Sequence, residues 1–309
     1  MKIIDLNKDK YNYNTAIVLG NFDGIHMGHQ YLIKNLVEAA NKEGLEPSIL
    51  LFKNHTKTTI NHSESKIQLL TSNEQKLGIL EEMGIKIVYT ILFNEDIMKL
   101  SAEEFVKEIL SEKLNVKLVN VGFDYRFGHK AMGDSNYLKE LGNKYGFRTN
   151  IINPIYINDE IVSSTKIRNL IKIGEIKRAN EFLGRPYSII GNVIKGDRRG
   201  NKMGYPTANI QLSYNYVIPK TGVYESITLI DNKEFKSLTN IGYNPTFNGK
   251  KLKIENHIID FNENIYGKTL EIKFIDFIRE DIKFNTVEEL IEKIAEDIDH
   301  IKTKIFTIQ

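Results

Sequence analysis

The stretch GNFDGIHMGHQ, Gly20 to Gln30, follows a short apolar run, AIVL from Ala16 to Leu19. It precedes a segment in which Leu32, Ile33, Leu36, Val37 and Ala40 fall on one helical face. A strand that passes through a glycine-rich turn into a helix is the building unit of an α/β fold. Gly20, Gly24 and Gly28 permit close backbone approach, and the helix start brings free N–H groups and a positive dipole end to His26 and His29. Three readings of the histidine pair are open at this level. The two could be metal ligands, polar residues satisfied at a helix start, or donors to a phosphate. A metallopeptidase helix needs HExxH, which does not occur here. The glycines and the helix start favour phosphate.

Outward from this turn the same alternation continues. Ser48 to Phe52, Lys86 to Leu92 and Lys117 to Val121 read as further strands. Ser72 with Gln75, and Ser101 with Glu104, have capping-box spacing ahead of helical faces. The expected fold of the first half is a mostly parallel sheet with helices on both sides and ligands at the carboxyl ends of its strands. After a short helix over Ile176 to Leu183, stopped by Gly184 and Pro186, helical periodicity largely disappears. Val223 to Ile230, Phe235 to Ile241, Lys253 to Phe261 and Thr269 to Phe277 alternate with turn clusters. They predict an antiparallel barrel of about six strands. Thr286 then caps a final helix carrying Val287, Leu290, Ile291, Ile294 and Ile298.

The totals restrict the chemistry. In 309 residues, 42 Lys and Arg face 40 Asp and Glu, so long-range attraction to a polyanion is weak. A small charged substrate held by local geometry fits better than nucleic acid, and no aromatic residues interleave with a basic stripe. There is no cysteine, which removes disulfides, thiolate metal sites and thiol nucleophiles and agrees with a reducing cytoplasm. No apolar run approaches the roughly 20 residues of a membrane span, so a membrane partner is not expected.

Further motifs carry their own chemistry. In VGFDYRFGHKAMGD, Val121 to Asp134, Gly122 and Asp124 follow a strand end, and the carboxylate could receive a hydroxyl or imide N–H. With Arg126 and nearby glycines this makes a ligand loop, although an ordinary turn with a surface arginine reads equally well. In VSSTKIRNL, hydroxyls of Ser163, Ser164 and Thr165 precede Arg168 by about a turn, which suits an anion clamp or simple helix capping. Gly191, Gly196, Gly200 and Gly204 bracket a basic loop containing Lys195, Arg198, Arg199 and Lys202, either a phosphate cover or a solvated hairpin. Thr207 and Asn209 lie two apart on an extended segment, so both oxygens reach one hard cation. Glu255 sits in the strand-like IENHIIDF, and His257 shares its face without an assigned catalytic task.

Together these segments resemble the bifunctional bacterial riboflavin kinase/FMN adenylyltransferase family, also called FAD synthetases. The resemblance rests on GNFDGIHMGHQYLI, VGFDYRFGHKAMGD and VSSTKIRNL in the first half. In the second it rests on GNVIKGDRRGNKMGYPTANI, TGVYES, TNIGYNPTF, IENHIIDFNENIYG and FIREDIKF. It implies a Rossmann-like nucleotidyltransferase domain over residues 1–183 and a six-stranded antiparallel β-barrel kinase domain with a terminal helix over 184–309. It further implies that riboflavin and MgATP give FMN, and that FMN and a second ATP give FAD and pyrophosphate.

The site residues follow from the same resemblance. In the first domain His26 and His29 are catalytic, and Gly20, Asn21, Phe22, Asp23 and Gly28 bind ATP with Ser163, Ser164, Thr165 and Arg168. Flavin contacts fall to His55, Gly122, Asp124, Tyr125 and Arg126. In the second domain Gly191, Lys195, Gly196, Gly204, Thr207 and Asn209 bind ATP, and Thr207 and Asn209 also hold Mg2+. Glu255 is the base and touches flavin, and Arg279 helps to bind flavin or a nucleotide phosphate.

One segment departs from the family. LFKNHTK, Leu51 to Lys57, keeps Phe52 and His55 but lacks both prolines of the usual TFxPHP-like run. The alternative it leaves is a riboflavin kinase with impaired adenylyl transfer. A cytidylyl- or pantetheine-type nucleotidyltransferase leaves the second half unexplained, and a nonenzymatic flavin- or RNA-binding module gives no reason for two phosphate constellations. The expected partners are flavins and ATP, in a cytoplasmic monomer or weak homo-oligomer.

Overall fold

A computed structural model describes residues 1–8, 13–53, 68–196, 203–246 and 249–303. The chain packs as two compact units. The first comprises Met1–Ile67 with Ser72–Ser163, and the second Gln68–Thr71 with Ser164–Gln309.

The first unit is built on six parallel strands: β1 (Lys2–Asp5), β2 (Thr15–Val18), β3 (Glu46–Phe52), β4 (Ile87–Ile91), β5 (Val116–Gly122) and β6 (Arg148–Ile152). Their order is β1-β4-β3-β2-β5-β6. Alternation along the strands divides the core into two layers. Ala16, Val18, Ile49 and Val88 meet Leu32, Ile33 and Leu36 of helix α1 (Met27–Glu43) and Leu80 of α2 (Asn73–Glu82). On the other face Ile17, Leu50, Tyr89 and Val119 meet Phe105, Val106 and Ile109, together with Leu138 and Leu141 of α3 (Ser135–Tyr145). Both expected capping boxes form, at Ser72 with Gln75 and at Ser101 with Glu104. The chain moves from β2 through β3 to β4 on one side, then crosses to place β5 on the opposite side of β2. The carboxyl ends of β2 and β5 therefore flank the topological switch point, where ligands of open parallel sheets bind.

The second unit opens with α4 (Ser164–Ile173) and α5 (Ile176–Leu183). A closed barrel follows, made of β7 (Tyr187–Ile194), β8 (Ala208–Leu212), β9 (Gly222–Ile230), β10 (Lys233–Thr246), β11 (Gly249–Ile258) and β12 (Thr269–Arg279). Its antiparallel order is β7-β8-β11-β10-β9-β12. Asn180 of α5 ties helix to barrel, donating from Nδ2 to the Phe274 carbonyl at 2.9 Å and accepting from the Tyr187 N–H at 2.7 Å. The last helix, α6 (Val287–Thr303), is capped at the Thr286 hydroxyl by the Glu289 N–H, 3.2 Å. Ile298 and Ile301 cover Val223 and Leu238 on the outside of the barrel.

Inside the barrel lies a polar cluster. Asn256 donates to Thr228 and Thr239 hydroxyls at 3.0 and 2.9 Å, and Ser226 meets Thr239 and Ser237 at 2.6 and 2.9 Å. All five residues are buried, and their groups satisfy one another, which is the condition for keeping polar groups in a core.

Gly191 is placed differently from expectation. It lies within β7, buried and paired with Leu212 and Leu270, not at the edge of a phosphate loop. A Cβ there would come within 2.5 Å of the Ile210 side chain and 2.7 Å of the Gln211 carbonyl. The glycine thus serves close strand packing. Gly191→Val is expected to destabilise the protein by about 1–3 kcal/mol through overpacking, measured by urea denaturation; an unchanged midpoint would contradict this packing role.

Candidate active sites

In the first unit the turn after β2 is forced into unusual backbone. Phe22, Gly24 and Ile25 all have positive φ, at 47°, 88° and 38°. For Phe and Ile this is strained, and strain of this kind collects at functional turns. The Gln30 side-chain amide staples the turn by donating to the Ile25 carbonyl at 2.8 Å. His26 is the N-cap of α1, and its Nδ1 accepts the His29 backbone N–H at 3.4 Å. In its neutral form the remaining ring proton therefore sits on Nε2. The two imidazoles stack with centroids 3.7 Å apart. Gly28 makes room for this, since a Cβ there would come within 3.3 Å of the His26 ring. The same Cβ would lie 3.9 Å from the Val162 carbonyl, which brings the residue before Ser163 next to the histidine turn.

Phe22 turns its side chain into the core. The residue is 0 % exposed, its ring lies 5.0 Å from that of His29, and Gly20 gives it space. Its side chain packs in the core beside the His29 imidazole. Asp23 and His26 are also buried, while Asn21 is exposed.

The loop after β5 occupies the other side of the switch point. Gly122 permits the Asp124 carboxylate to fold back, for a Cβ would approach its Oδ1 to 3.1 Å. Tyr125 stacks on Phe127 at 5.6 Å, and burial raises its hydroxyl pKa, so it remains protonated. Arg126 faces Asp134 at 3.8 Å, both exposed. His55 lies outside the described residues. Ser163 ends the first unit, while Ser164, Thr165 and Arg168 begin the second, where Arg168 Nε donates to the Gln68 carbonyl at 3.3 Å.

In the second unit, antiparallel register aligns three polar residues across adjacent strands. Asn209 of β8 is opposite Glu255 of β11, which is opposite Asn240 of β10. Directly opposed residues share a face with their Cβ atoms about 5 Å apart. Glu255 pairs with Lys253 at 2.9 Å and is partly exposed. The Asn240 Oδ1 is buried and has no hydrogen-bond partner. Gly196 is indispensable to Asn209, because a Cβ would sit 2.1 Å from its Nδ2 and 2.5 Å from its Cγ. Thr207 stands one residue before β8, and Gly204 forms an open turn at φ 82°. Residues 197–202, including Gly200, Arg198, Arg199 and Lys202, lie outside the described residues. Among the described residues no group of three His, Cys, Asp or Glu side chains could hold a metal. The oxygen donors of Thr207 and Asn209 suit a cation that keeps most of its ligands as water and phosphate.

His257 Nδ1 lies 2.8 Å from the Pro206 carbonyl, to which it donates, and the ring meets the edge of Tyr205 at 5.6 Å. Burial holds its pKa below the usual histidine value, so near neutral pH the ring is neutral and Nδ1–H is the donor to the carbonyl. Arg279 is engaged by the terminal helix: Nε donates to Asp297 Oδ2 at 2.8 Å, with side chains 15 % and 3 % exposed.

The FAD synthetase family pattern matches residues 8–166, and the riboflavin kinase pattern matches 183–305. The chain belongs to the bifunctional riboflavin kinase/FMN adenylyltransferase family. A relative of that name from Buchnera aphidicola subsp. Schizaphis graminum is 39 % identical over 96 % of this chain and 96 % of its own. Another, from Listeria monocytogenes, is 37 % identical over 92 % and 90 %. A crystal structure described as a macrolide-efflux protein from Streptococcus pneumoniae superposes with TM-score 0.90 and 29 % identity, covering 99 % of this chain and 100 % of that one. Among the described residues no helix is long and apolar enough to cross a membrane.

As a member of this family the chain phosphorylates riboflavin with ATP and adenylylates FMN with ATP to give FAD. Nothing favours a kinase with impaired adenylyl transfer, since relatives spanning nearly the whole chain are bifunctional. Sequence reasoning did not single out Asn240, whose place beside Glu255 depends on a register between distant strands. Its only signal was membership of TNIGYNPTF.

Gly196→Ala is expected to turn the Asn209 amide aside with little loss of stability, because the clashing group is a rotatable side-chain end. Riboflavin phosphorylation should fall about a hundredfold, as for a small misplacement of a positioning group, while FMN adenylylation persists. Steady-state assays of both reactions check this, and an undiminished kinase would contradict it.

Proposed function

We propose that the two reactions divide between residues 1–183, which transfer the adenylyl group, and 184–309, which phosphorylate riboflavin. The observation that carries the kinase assignment is the pairing of Asn209 with Glu255 across β8 and β11. It puts an amide and a carboxylate side by side on one face, which supports a phosphate grip beside a base. Glu255 orients the riboflavin 5′-hydroxyl and accepts its proton as the oxygen attacks the γ-phosphorus of ATP. The bond from that phosphorus to the β-bridging oxygen breaks, and ADP leaves. Thr207 and Asn209 hold the triphosphate from the opposite side, with Lys195, Gly196 and Gly204 at the loop beside them. Mg2+, when bound at Thr207 and Asn209, offsets charge on the phosphates. Arg279, fixed by Asp297, contributes to flavin or phosphate binding where the barrel meets α6.

Adenylyl transfer needs no carboxylate base, because the FMN phosphate is already ionised near neutral pH. Its oxygen attacks the α-phosphorus of ATP, and pyrophosphate departs. His26, held at the N-cap with its proton on Nε2, and His29, stacked on it, donate to phosphate oxygens together with the first-turn N–H groups near Gly28. Gly20, Asn21 and Asp23 shape the ATP side of this turn. Ser163, Ser164, Thr165 and Arg168 stabilise the departing pyrophosphate. Gly122, Asp124, Tyr125, Arg126 and His55 form the flavin side. The enzyme works in the cytoplasm on small molecules, not on nucleic acid, as a monomer or weak homo-oligomer.

Glu255→Gln is expected to lower FMN formation at least about a hundredfold while FAD formation from supplied FMN continues. His29→Ala is expected to do the reverse. Chromatography of flavin products checks both, and loss of both activities in either folded variant would contradict the division.

A further inference from the structure

The ladder between β8 and β11 is very short: Ala208 pairs with Asn256 and Asn209 with Glu255. One step further out, Thr207 would stand opposite His257, but the preceding residue is Pro206, which has no N–H and cannot continue ordinary pairing. Its carbonyl still requires a donor. His257 Nδ1 meets that carbonyl at 2.8 Å, and the Tyr205 ring packs edge-on against the imidazole. A side chain thus extends the pairing past the point where the backbone stops.

The strand that carries His257 is itself fixed. Asn256, between Glu255 and His257, is 0 % exposed and bonded to Thr228 and Thr239 inside the barrel. Its neighbours on either side are turned to the other face, one toward Asn209 and one onto the Pro206 carbonyl. That carbonyl belongs to the same rigid peptide plane as the Thr207 nitrogen. Holding it sets the direction in which Thr207 leaves the plane, and so where its hydroxyl sits. Asn209 holds the same segment from the other end through the ladder.

We infer that His257 is a positioning residue of the kinase reaction, which fixes Thr207 through the Pro206 carbonyl and so sets the grip on the ATP phosphates. This rests on the assignment of Thr207 to the triphosphate. It gives a role to a residue on the strand face of Glu255.

The experiment compares His257→Leu, His257→Asn, Thr207→Val and the double variant His257→Leu/Thr207→Val in the full chain. Each is assayed for riboflavin phosphorylation and for FMN adenylylation. His257→Leu keeps bulk but loses the donor, and it should raise KM for MgATP about tenfold, the effect of one hydrogen bond. KM for riboflavin and adenylylation should stay within about twofold of wild type. His257→Asn, which keeps a donor near the Nδ1 position, should recover KM to within about threefold. In the Thr207→Val background the His257 change should add nothing, because the group it positions is gone. Equal impairment of His257→Leu and His257→Asn would overturn the inference and leave only a packing role. So would an unaltered KM in His257→Leu when Thr207→Val is severely impaired. If Thr207→Val itself were fully active, the assignment of Thr207 would fail, and the inference with it.

Discussion

Negative charge must be held still while a phosphorus–oxygen bond breaks, and the two activities of this chain impose that requirement twice on a formal net charge of only +2. In the first unit a strained turn delivers a helix start, an N-cap imidazole and a second imidazole stacked on it at 3.7 Å. In the second, a hydroxyl and an amide at the beginning of a strand stand next to a carboxylate on its neighbour. On the division proposed above, the first suits a reaction whose nucleophile is already charged. On the same proposal, the second suits one whose nucleophile is an alcohol that loses its proton to a carboxylate.

The barrel depends on its polar interior for this alignment. A shift of one residue along β11 would turn Glu255 inward and bring Asn256 out. The bonds from Asn256 to Thr228 and Thr239, and those among Ser226, Ser237 and Thr239, are made only in one register. The hydrogen-bonded cluster therefore ties the outward face of β11, which carries Glu255, to a group of buried side chains.

Much of this was legible in the chain. The strand–turn–helix unit around Gly20 to Gln30, the four barrel strands set between turn clusters, and both capping boxes formed close to where local pattern placed them. What stayed hidden was either short or long-range. Lys2–Asp5 is an edge strand of β1 type with charged ends, so it shows little apolar alternation. Gly191 shares its spacing with loop glycines, and only the approach of Ile210 and Gln211 reveals a strand interior. Phe22 stands within the phosphate motif, yet positive φ turns it into the core. Arg279 reads as an anion-binding residue, and its bond to Asp297 joins segments that no local pattern relates. The pairing of Asn209, Glu255 and Asn240 is likewise a property of register.

The most direct test of two charge-holding sites serving successive reactions is a single time course from riboflavin with excess MgATP, resolving riboflavin, FMN, FAD and both phosphate products. FMN should rise with ADP, then fall as FAD and pyrophosphate accumulate. A folded chain that made neither FMN from riboflavin nor FAD from added FMN would contradict the account.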